Sequence, residues 1–252
     1  MDTNKIISQY FFYKENEKNI LNNFNSPDFS QENMCFSLVF SSILFATHDI
    51  FVKHDFKKAK IEFYQAGLLK IFLHEKFDQQ NYTSSNIFLV ATGFTFCILS
   101  DSQKLINQYL KYTDDFLDTF SSSFAKAIQA CVKGDDTSLQ EQIENLERHT
   151  NKKSIAKNYA GVPTAFKGIL QKDKSLIEDG INEILAKHNK QEQPAVVKDY
   201  MNLEALTLAK LAFRKGIVVE IDNPLLPKEM IPTQEIEGYK SYDFLKDLEA
   251  TL

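Results

Sequence analysis

The sequence predicts an all-α fold, a bundle of stacked helix pairs with a short extended segment near its C-terminal end. Apolar residues recur at spacings of three and four along most of the chain, as on helices that pack by one face. Glycine and proline number only eight and six in 252 residues, which favours long helices over turn-rich β structure. Hydrophobic content of 43% and charged content of 25% are typical of a folded globular chain, so we expect one domain over 1–252.

Five helices are predicted in the first part of the chain. One of them carries a continuous apolar stripe of about six turns: Phe56, Ala59, Phe63, Ala66, Leu69, Leu73 and Phe77. The segment before it is apolar nearly all round, as expected of a helix packed on several sides, with Asp28 or Ser30 as its N-cap. The uncharged stretch 82–100 has too short an apolar part for a membrane span, which favours a buried helix. The predicted helices are 3–23, 29–53, 55–77, 84–100 and 102–113.

Two units in the middle of the chain, 124–149 and 164–188, resemble each other. In each unit a small-residue helix ends at a turn, and a second helix opens with Ser-Leu and closes on a histidine, His149 or His188. We interpret both histidines as helix-end residues. The spacing fits stacked helix pairs of the tetratricopeptide or HEAT type, and a plain globular bundle fits equally well.

These pairs belong to a longer region, 117–216, against which the helices of 1–115 are expected to pack. Its last helix, over 195–215, is apolar on most sides and ends at Lys215-Gly216, where glycine allows a left-handed cap. Residues 217–222 then alternate with a period of two, which indicates a short strand. Three prolines, Pro224, Pro227 and Pro232, make residues 217–232 a rigid surface strap. A last helix is predicted near 241–250, so the strap and this helix form a C-terminal region over 217–252.

Charge and cysteine content narrow the range of functions. With a net charge of −5 and only two arginines, Arg148 and Arg214, the chain is poorly suited to bind nucleic acid. Cys35, Cys97 and Cys131 are odd in number, far apart and in apolar surroundings, which indicates reduced core residues. The first residues lack the apolar segment of a signal peptide, so we expect a cytoplasmic protein that does not associate with membranes.

The candidate catalytic patterns are weak. His48-Asp49 and His54-Asp55 resemble the dipeptides of metal phosphohydrolases. Six residues, however, turn a straight helix by about 240°, so the two histidines cannot share a metal ion there. Glu220 and Asp222 face one side of the predicted strand, but no nucleophile or metal ligand lies near them in sequence. We therefore predict no enzymatic activity, no catalytic residues, no metal and no cofactor.

The stretch LTLAKLAFRKGIVVEIDNPLLPKEMI, residues 206–231, resembles the C-terminal signature of the immunity protein 49 family. Members of that family are antidotes carried beside bacterial polymorphic toxins. The close resemblance covers about 50 residues, including the trailing Asp243 and Phe244. We interpret its residues as structural, with Arg214 and Asp222 tying the strap to the preceding helix. The signature residues are Arg214, Gly216, Glu220, Asp222, Pro224, Pro227, Glu229, Tyr239 and Tyr242.

The resemblance implies an all-helical, non-catalytic protein that binds and neutralises a cognate toxin. Residues 231–252 hold five acids and two lysines, Lys240 and Lys246, which gives −3 of the net charge of −5. If the toxin is a nuclease with a basic groove, this acidic surface would speed encounter and occupy the groove. The predicted toxin-binding residues are Glu235, Glu237, Asp243, Asp247 and Glu249.

Three functions thus follow from the sequence. The first is an immunity protein whose toxin, secreted by a contact-dependent or type VI-like system, acts in the cytosol. The second is a helical-repeat scaffold or adaptor that binds peptides or proteins. The third, a metal-dependent hydrolase built on the two His-Asp dipeptides, requires bound metal in the purified protein.

Overall fold

The computed structural model describes residues 3–78, 82–90, 92–152, 154–239 and 241–252. Over these ranges the chain forms eleven α-helices and no β-strand, so the all-α prediction is confirmed. The helices are α1 (Thr3–Asn23), α2 (Gln31–His48), α3 (Phe56–Leu73), α4 (Thr92–Ser100), α5 (Gln103–Tyr109), α6 (Phe120–Lys133), α7 (Asp136–Thr150), α8 (Gly161–Gln171), α9 (Lys174–Ala186), α10 (Leu203–Arg214) and α11 (Lys246–Ala250). Single π-helical turns, Asp49–Lys53 and His74–Asp78, extend α2 and α3.

Local side-chain caps determine where most helices begin. Ser30 is the N-cap of α2, and its hydroxyl accepts a hydrogen bond from the backbone N–H of Asn33. Asp28, the other candidate, lies outside the helix. These bonds satisfy amides that a helix start leaves without an intrahelical partner. The same type of bond begins the helices after Asp55, Ser102, Thr119, Asp135, Asp173 and Asn202.

Two predicted helices, 84–100 and 195–215, begin eight residues later than the sequence pattern indicates. Residues 84–90 form turns, and α4 begins only at Thr92; Ala91, inside the predicted helix, lies outside the described residues. In this turn the Asn86 carboxamide oxygen accepts the amides of Phe88 and Leu89, 2.8 and 3.1 Å away. A side chain that satisfies backbone donors in this way competes with helix formation. The predicted helix over 195–215 likewise begins only at Leu203, after turns over 195–200.

Helix α10 lies at the centre of the molecule. It packs against α4 on the N-terminal side of the chain and against α6, α8 and α9 of the middle region. The helix pairs α6–α7 and α8–α9 pack on each other through α7 and α8. Buried apolar residues form one contiguous cluster that extends from Ile6 to Leu245. Any segment bound to α10 is therefore fixed relative to both halves of the core.

Several helices of the core are apolar over most of their surface. The stretch Gln31–Lys53 is long and apolar enough to span a membrane, but 72% of its most apolar window is buried inside the protein. A core helix meets the same criteria of length and composition. Cys35, Cys97 and Cys131 are free and buried, as predicted, and burial raises the pKa of each thiol.

The segment after α10 is extended, but it is not a strand. Gly216 adopts the predicted left-handed conformation with φ of 80° and ends the helix. Val219 and Ile221 then face the core, while Glu220 and Asp222 face solvent, so the alternation is present. The predicted strand is wrong because, within the described ranges, no second extended segment pairs with residues 217–222.

Helices α8 and α9 touch through their backbones. A Cβ atom on Gly180 would lie 2.5 Å from the Ala165 nitrogen and 2.6 Å from the Gly161 oxygen. A Cβ atom on Gly161 would in turn lie 2.1 Å from the Gly180 oxygen. Only glycine permits this approach, so the packing of the α8–α9 pair depends on these two positions.

We expect Gly180→Ala to lower the free energy of unfolding by about 3 kcal/mol, because the new methyl group meets backbone atoms that cannot move separately. Gly67→Ala is the matched control. There the nearest atom to the added Cβ, at 2.8 Å, is the end of the flexible Leu105 side chain. Because alanine has a higher helix propensity than glycine, the control should lose no more than about 1 kcal/mol in free energy of unfolding. Equal losses in urea denaturation would contradict the proposed backbone contact.

Candidate functional site: the C-terminal strap and acidic surface

A buried charge cluster holds the C-terminal segment to the helices. Lys210, on α10, is fully buried, and its ammonium donates to Asp101 Oδ2 at 2.9 Å. The same ammonium donates to the carbonyl oxygens of Met230 and Pro232, 2.8 and 3.2 Å away. One side chain of the central helix therefore binds the backbone of the strap at two points.

Asp101, between α4 and α5, is the anion of this cluster. It is 2% exposed, and its Oδ2 lies 2.8 Å from the ammonium of Lys60, which is also buried. The same oxygen accepts the Gln234 amide at 3.1 Å, while Lys60 donates to the Gln234 carbonyl at 3.2 Å. Two buried lysines and one carboxylate thus fix the backbone of 230–234, which a segment without regular structure requires.

The electrostatics of the cluster depend on this pairing. Burial lowers the pKa of Lys210 to about 8, while the Asp101 carboxylate acts in the opposite direction and favours the ammonium form. Arg214 approaches from the end of α10, with Nη1 4.0 Å from Asp101 Oδ1. That oxygen is buried and accepts no hydrogen bond from the described residues. Removal of one cation would leave a poorly compensated charge in the core.

The prediction that Arg214 and Asp222 tie the strap to the helix is wrong. Arg214 donates to the Gln103 side chain at 3.1 Å, at the start of α5. Asp222 is fully exposed and pairs instead with Lys228 at 2.9 Å. The sequence pattern does not identify Lys210 as part of this cluster, because helical periodicity does not show whether a lysine in a mostly apolar helix reaches solvent or a buried partner. The available signal was its position, flanked on both sides by leucine and alanine.

Other signature residues also contact the helical core. The Glu220 amide donates to the Glu178 carboxylate of α9 at 2.7 Å. Pro224 and Pro227 line a cleft against Ile50 and Phe51, and exposed Glu229 lines the same cleft. Through these contacts, the first part of the strap packs against helical segments from both halves of the chain.

Two tyrosines attach the segment that follows the strap. The Tyr239 hydroxyl donates to the Ser100 carbonyl at 2.9 Å, and its ring packs against Tyr64 with 4.5 Å between centroids. Tyr242 is buried and donates to Glu17 of α1 at 2.6 Å. The last residues of the chain are thereby bound to α1, α3 and the end of α4.

The five predicted toxin-binding acids divide into two groups. Glu235 accepts the Gln103 amide at 3.1 Å, and Glu249 accepts the Tyr64 hydroxyl at 2.8 Å. Asp243 pairs with Lys246 at 2.6 Å. Glu237 and Asp247 are exposed and have no hydrogen bond or ion pair within the described part of the chain. Lys240, counted in the charge of this region, lies outside the described residues. Among the described residues, two carboxylates thus have no partner and are available to an external one.

Three of these acids surround an open cleft of about 530 Å³. Glu235, Glu237 and Glu249 line it together with Tyr64, Tyr239 and one cation, Lys104. We define the acidic surface as this cleft together with Asp243 and Asp247. Carboxylates around a concave surface favour a cationic ligand.

The structure separates the residues of the candidate metal site. His48 is buried, with Nδ1 3.4 Å from Asp49 Oδ1, whereas His54 is exposed and adopts a left-handed conformation with φ of 53°. Asp55 serves as the N-cap of α3. Across the described ranges, no group of three or more His, Cys, Asp or Glu side chains is arranged to hold a metal ion. The absence of metal and of catalytic activity stays a prediction.

A partly buried carboxylate lies near the attachment of Tyr242. Burial raises the pKa of Glu62 to about 8, with Lys14 acting against the shift and Asp49 and Glu17 adding to it. Glu62 therefore holds its proton in the folded protein at pH values where an unfolded glutamate has lost it.

Comparison with known proteins identifies one family. The family model described as Immunity protein 49 matches residues 74–230, which is 157 of the 252 residues. No curated protein and no solved structure matches the chain. The matched range includes α4 to α10 and the strap as far as Met230. The five acids lie beyond its end, so the family match assigns no role to them.

We expect Lys210→Met to lower the free energy of unfolding by about 3 kcal/mol, because it removes one cation from Asp101 and the two hydrogen bonds from Lys210 to the carbonyls of the strap. Hydrogen exchange should accelerate over 230–234 before the rest of the core. The matched control is Lys228→Met, which breaks the exposed pair with Asp222 and should cost no more than about 0.5 kcal/mol. Unchanged exchange over 230–234 would show that Lys210 does not hold the strap.

Glu62→Gln should stabilise the protein at alkaline pH. A raised carboxyl pKa contributes stability below the unfolded value, and this contribution is lost as pH rises through about 8. The variant cannot ionise at this position. Its free energy of unfolding relative to the wild type should therefore rise by more than about 1 kcal/mol from pH 5 to pH 9. Glu237→Gln, at an exposed position, should show no such trend. A pH-independent difference for Glu62→Gln would exclude the raised pKa.

Proposed function

Because the chain belongs to the immunity protein 49 family, we propose that it binds a cognate toxin protein and neutralises it, without catalysis of its own. The match over 74–230 is the observation that carries this proposal, since it covers most of the helical scaffold and the strap. Neutralisation by binding requires only a stable surface that is complementary to the toxin.

We place the toxin contact at the acidic surface. Glu237 and Asp247 are exposed carboxylates without partners among the described residues, and the cleft that Glu237 lines carries two further acids, Glu235 and Glu249. Negative charge at this position attracts a basic protein and accelerates encounter. A nuclease whose active-site groove is basic fits this chemistry, and occupation of the groove would block its substrate.

The rigid attachment of the strap favours tight binding. Residues 230–234 are fixed by Lys60, Lys210 and Asp101, and the segment that follows is fixed by Tyr239 and Tyr242. A surface already ordered in the free protein loses little conformational entropy on association. We therefore expect one tight partner, whereas a scaffold or adaptor would bind several partners weakly.

The proposed setting is the cytosol of a bacterium that carries the toxin gene beside this one. The toxin would reach neighbouring cells through a contact-dependent or type VI-like system and attack a cytosolic target. The chain would protect its own cell by forming the complex before the toxin meets that target.

The direct test is co-expression with the toxin domain encoded by the neighbouring gene. We expect growth to be restored and the two proteins to co-purify as a stoichiometric complex. A catalytically inactive toxin variant allows the complex to be measured without selection for suppressors. Absence of both rescue and complex would exclude the proposed function and leave the scaffold alternative.

We further predict that Glu237→Lys with Asp247→Lys slows association with this toxin at least about 10-fold at low ionic strength, because steering depends on the charge near the contact. The control is Glu141→Lys with Glu147→Lys on α7, which changes the net charge equally at exposed positions. The control pair should change the association rate less than about 3-fold. Equal effects of the two pairs in stopped-flow measurements would place the contact elsewhere.

A further inference from the structure

A second cavity, of about 510 Å³, lies between the N-terminal helices and the middle region. It shares no lining residue with the acidic cleft. Its volume lies in the range of small-molecule sites in proteins. Most of its wall is aromatic or aliphatic and comes from α2, α4 and α6, with these residues among the lining: Phe36, Val39, Ile43, Phe96 and Phe124.

One cation, Lys70 of α3, lines this apolar cavity. The residue is only 2% exposed, and its ammonium lies 5.3 Å from the centre of the Phe36 ring. No hydrogen bond or ion pair joins it to any other part of the described chain. The two other buried lysines, Lys60 and Lys210, both bind Asp101. Since a buried charge without a counter-ion is costly, Lys70 is the exception that requires an explanation.

The acids near the cavity do not neutralise Lys70. Glu204, at the start of α10, lines the cavity and accepts a hydrogen bond from the Gln193 side chain, and burial raises its pKa. Glu192 and Tyr159 also line it, but the Tyr159 hydroxyl is bonded to the Glu192 backbone, and the Glu192 side chain is exposed. Neither glutamate lies within ion-pair distance of Lys70. The cavity therefore combines an apolar wall with an uncompensated positive charge.

We propose that this cavity binds a small aliphatic carboxylate, with the hydrocarbon chain against the aromatic wall and the carboxylate at the Lys70 ammonium. The hydrocarbon chain would bury its surface against Phe36, Phe96 and Phe124. The carboxylate would supply the counter-ion and hydrogen-bond acceptor that the protein itself does not place there. This ligand site does not depend on toxin binding.

Ligand binding is coupled to protonation of Lys70. Burial alone lowers the pKa of Lys70 to about 8, and a bound carboxylate would raise it again. The protein therefore takes up a proton on binding near pH 8 to 9, and affinity falls as pH rises above 8. Glu204 and Glu192 also line the cavity, but neither lies within ion-pair distance of Lys70, so we expect the bound carboxylate to act on the Lys70 ammonium.

The test compares octanoate with octan-1-ol, which has the same chain without the charge, by isothermal titration calorimetry at pH 7. We expect octanoate to bind the wild type at least about 10-fold more tightly, as a charge-assisted hydrogen bond provides. In Lys70→Met the ratio of the affinities for octanoate and octan-1-ol should fall to about 1. Lys104→Met, at the acidic cleft, should keep the ratio of the wild type. Absence of octanoate binding to the wild type, or an unchanged preference in Lys70→Met, would overturn the proposal.

A second measurement keeps the proposal testable if Lys70→Met does not fold. Titration of the wild type at pH 8.5 in buffers of different ionisation enthalpy reports the protons taken up on binding. We expect net uptake with octanoate and none with octan-1-ol. Octanoate binding without proton uptake would exclude Lys70 as its partner.

Discussion

The position of the C-terminal segment depends on one buried carboxylate, Asp101, and the two buried lysines that bind it. Lys210 comes from the helix at the centre of the molecule, and Lys60 comes from α3. Neither ammonium can stay in the core without acceptors, and the acceptors they use include three backbone carbonyls of residues 230–234. The requirement to satisfy buried charge thus fixes a segment that has no helix or sheet of its own. The acidic surface begins directly after this attachment, so its orientation relative to the core follows from the same bonds.

This charge cluster determines the position of the C-terminal segment more than it stabilises the fold. Burying three charged groups carries a large desolvation cost, and a well-packed apolar replacement of the whole set would be about as stable. Apolar side chains would not fix the register of the strap, because apolar contacts are not directional. The lysines donate hydrogen bonds to particular carbonyl oxygens and so select one register. A protein that must present a fixed surface to one partner benefits from that selection, because a preorganised surface binds with less loss of entropy. Lys70 has no such internal acceptor, which is why its cavity is assigned to an external ligand instead.

Sequence patterns predicted the structural features that neighbouring residues set. They did not predict the features that depend on contacts between distant parts of the chain. The cap at Ser30 and the left-handed end at Gly216 were predictable, since each is set by a few neighbouring residues. Asn86 shortened a predicted helix, because apolar composition alone does not show that a side chain will bind the nearby amides. The alternation of 217–222 identified which side chains face the core, but it carries no information about a partner strand.

The candidate site shows the same division. The family and the acidic character of the C-terminal region were accessible from the sequence, but the partners of the acids were not. Glu235 and Glu249 bind groups 132 and 185 positions away, and Lys210 binds Asp101 across 109 positions. We propose that the core holds this surface in place for a toxin, and hydrogen–deuterium exchange of the free chain and of its toxin complex measures both the order of the surface and its contact. We predict slow exchange over 230–234 in both states and new protection over 235–249 in the complex. Protection confined to another face, with 235–249 unchanged, would show that the toxin does not bind the acidic surface.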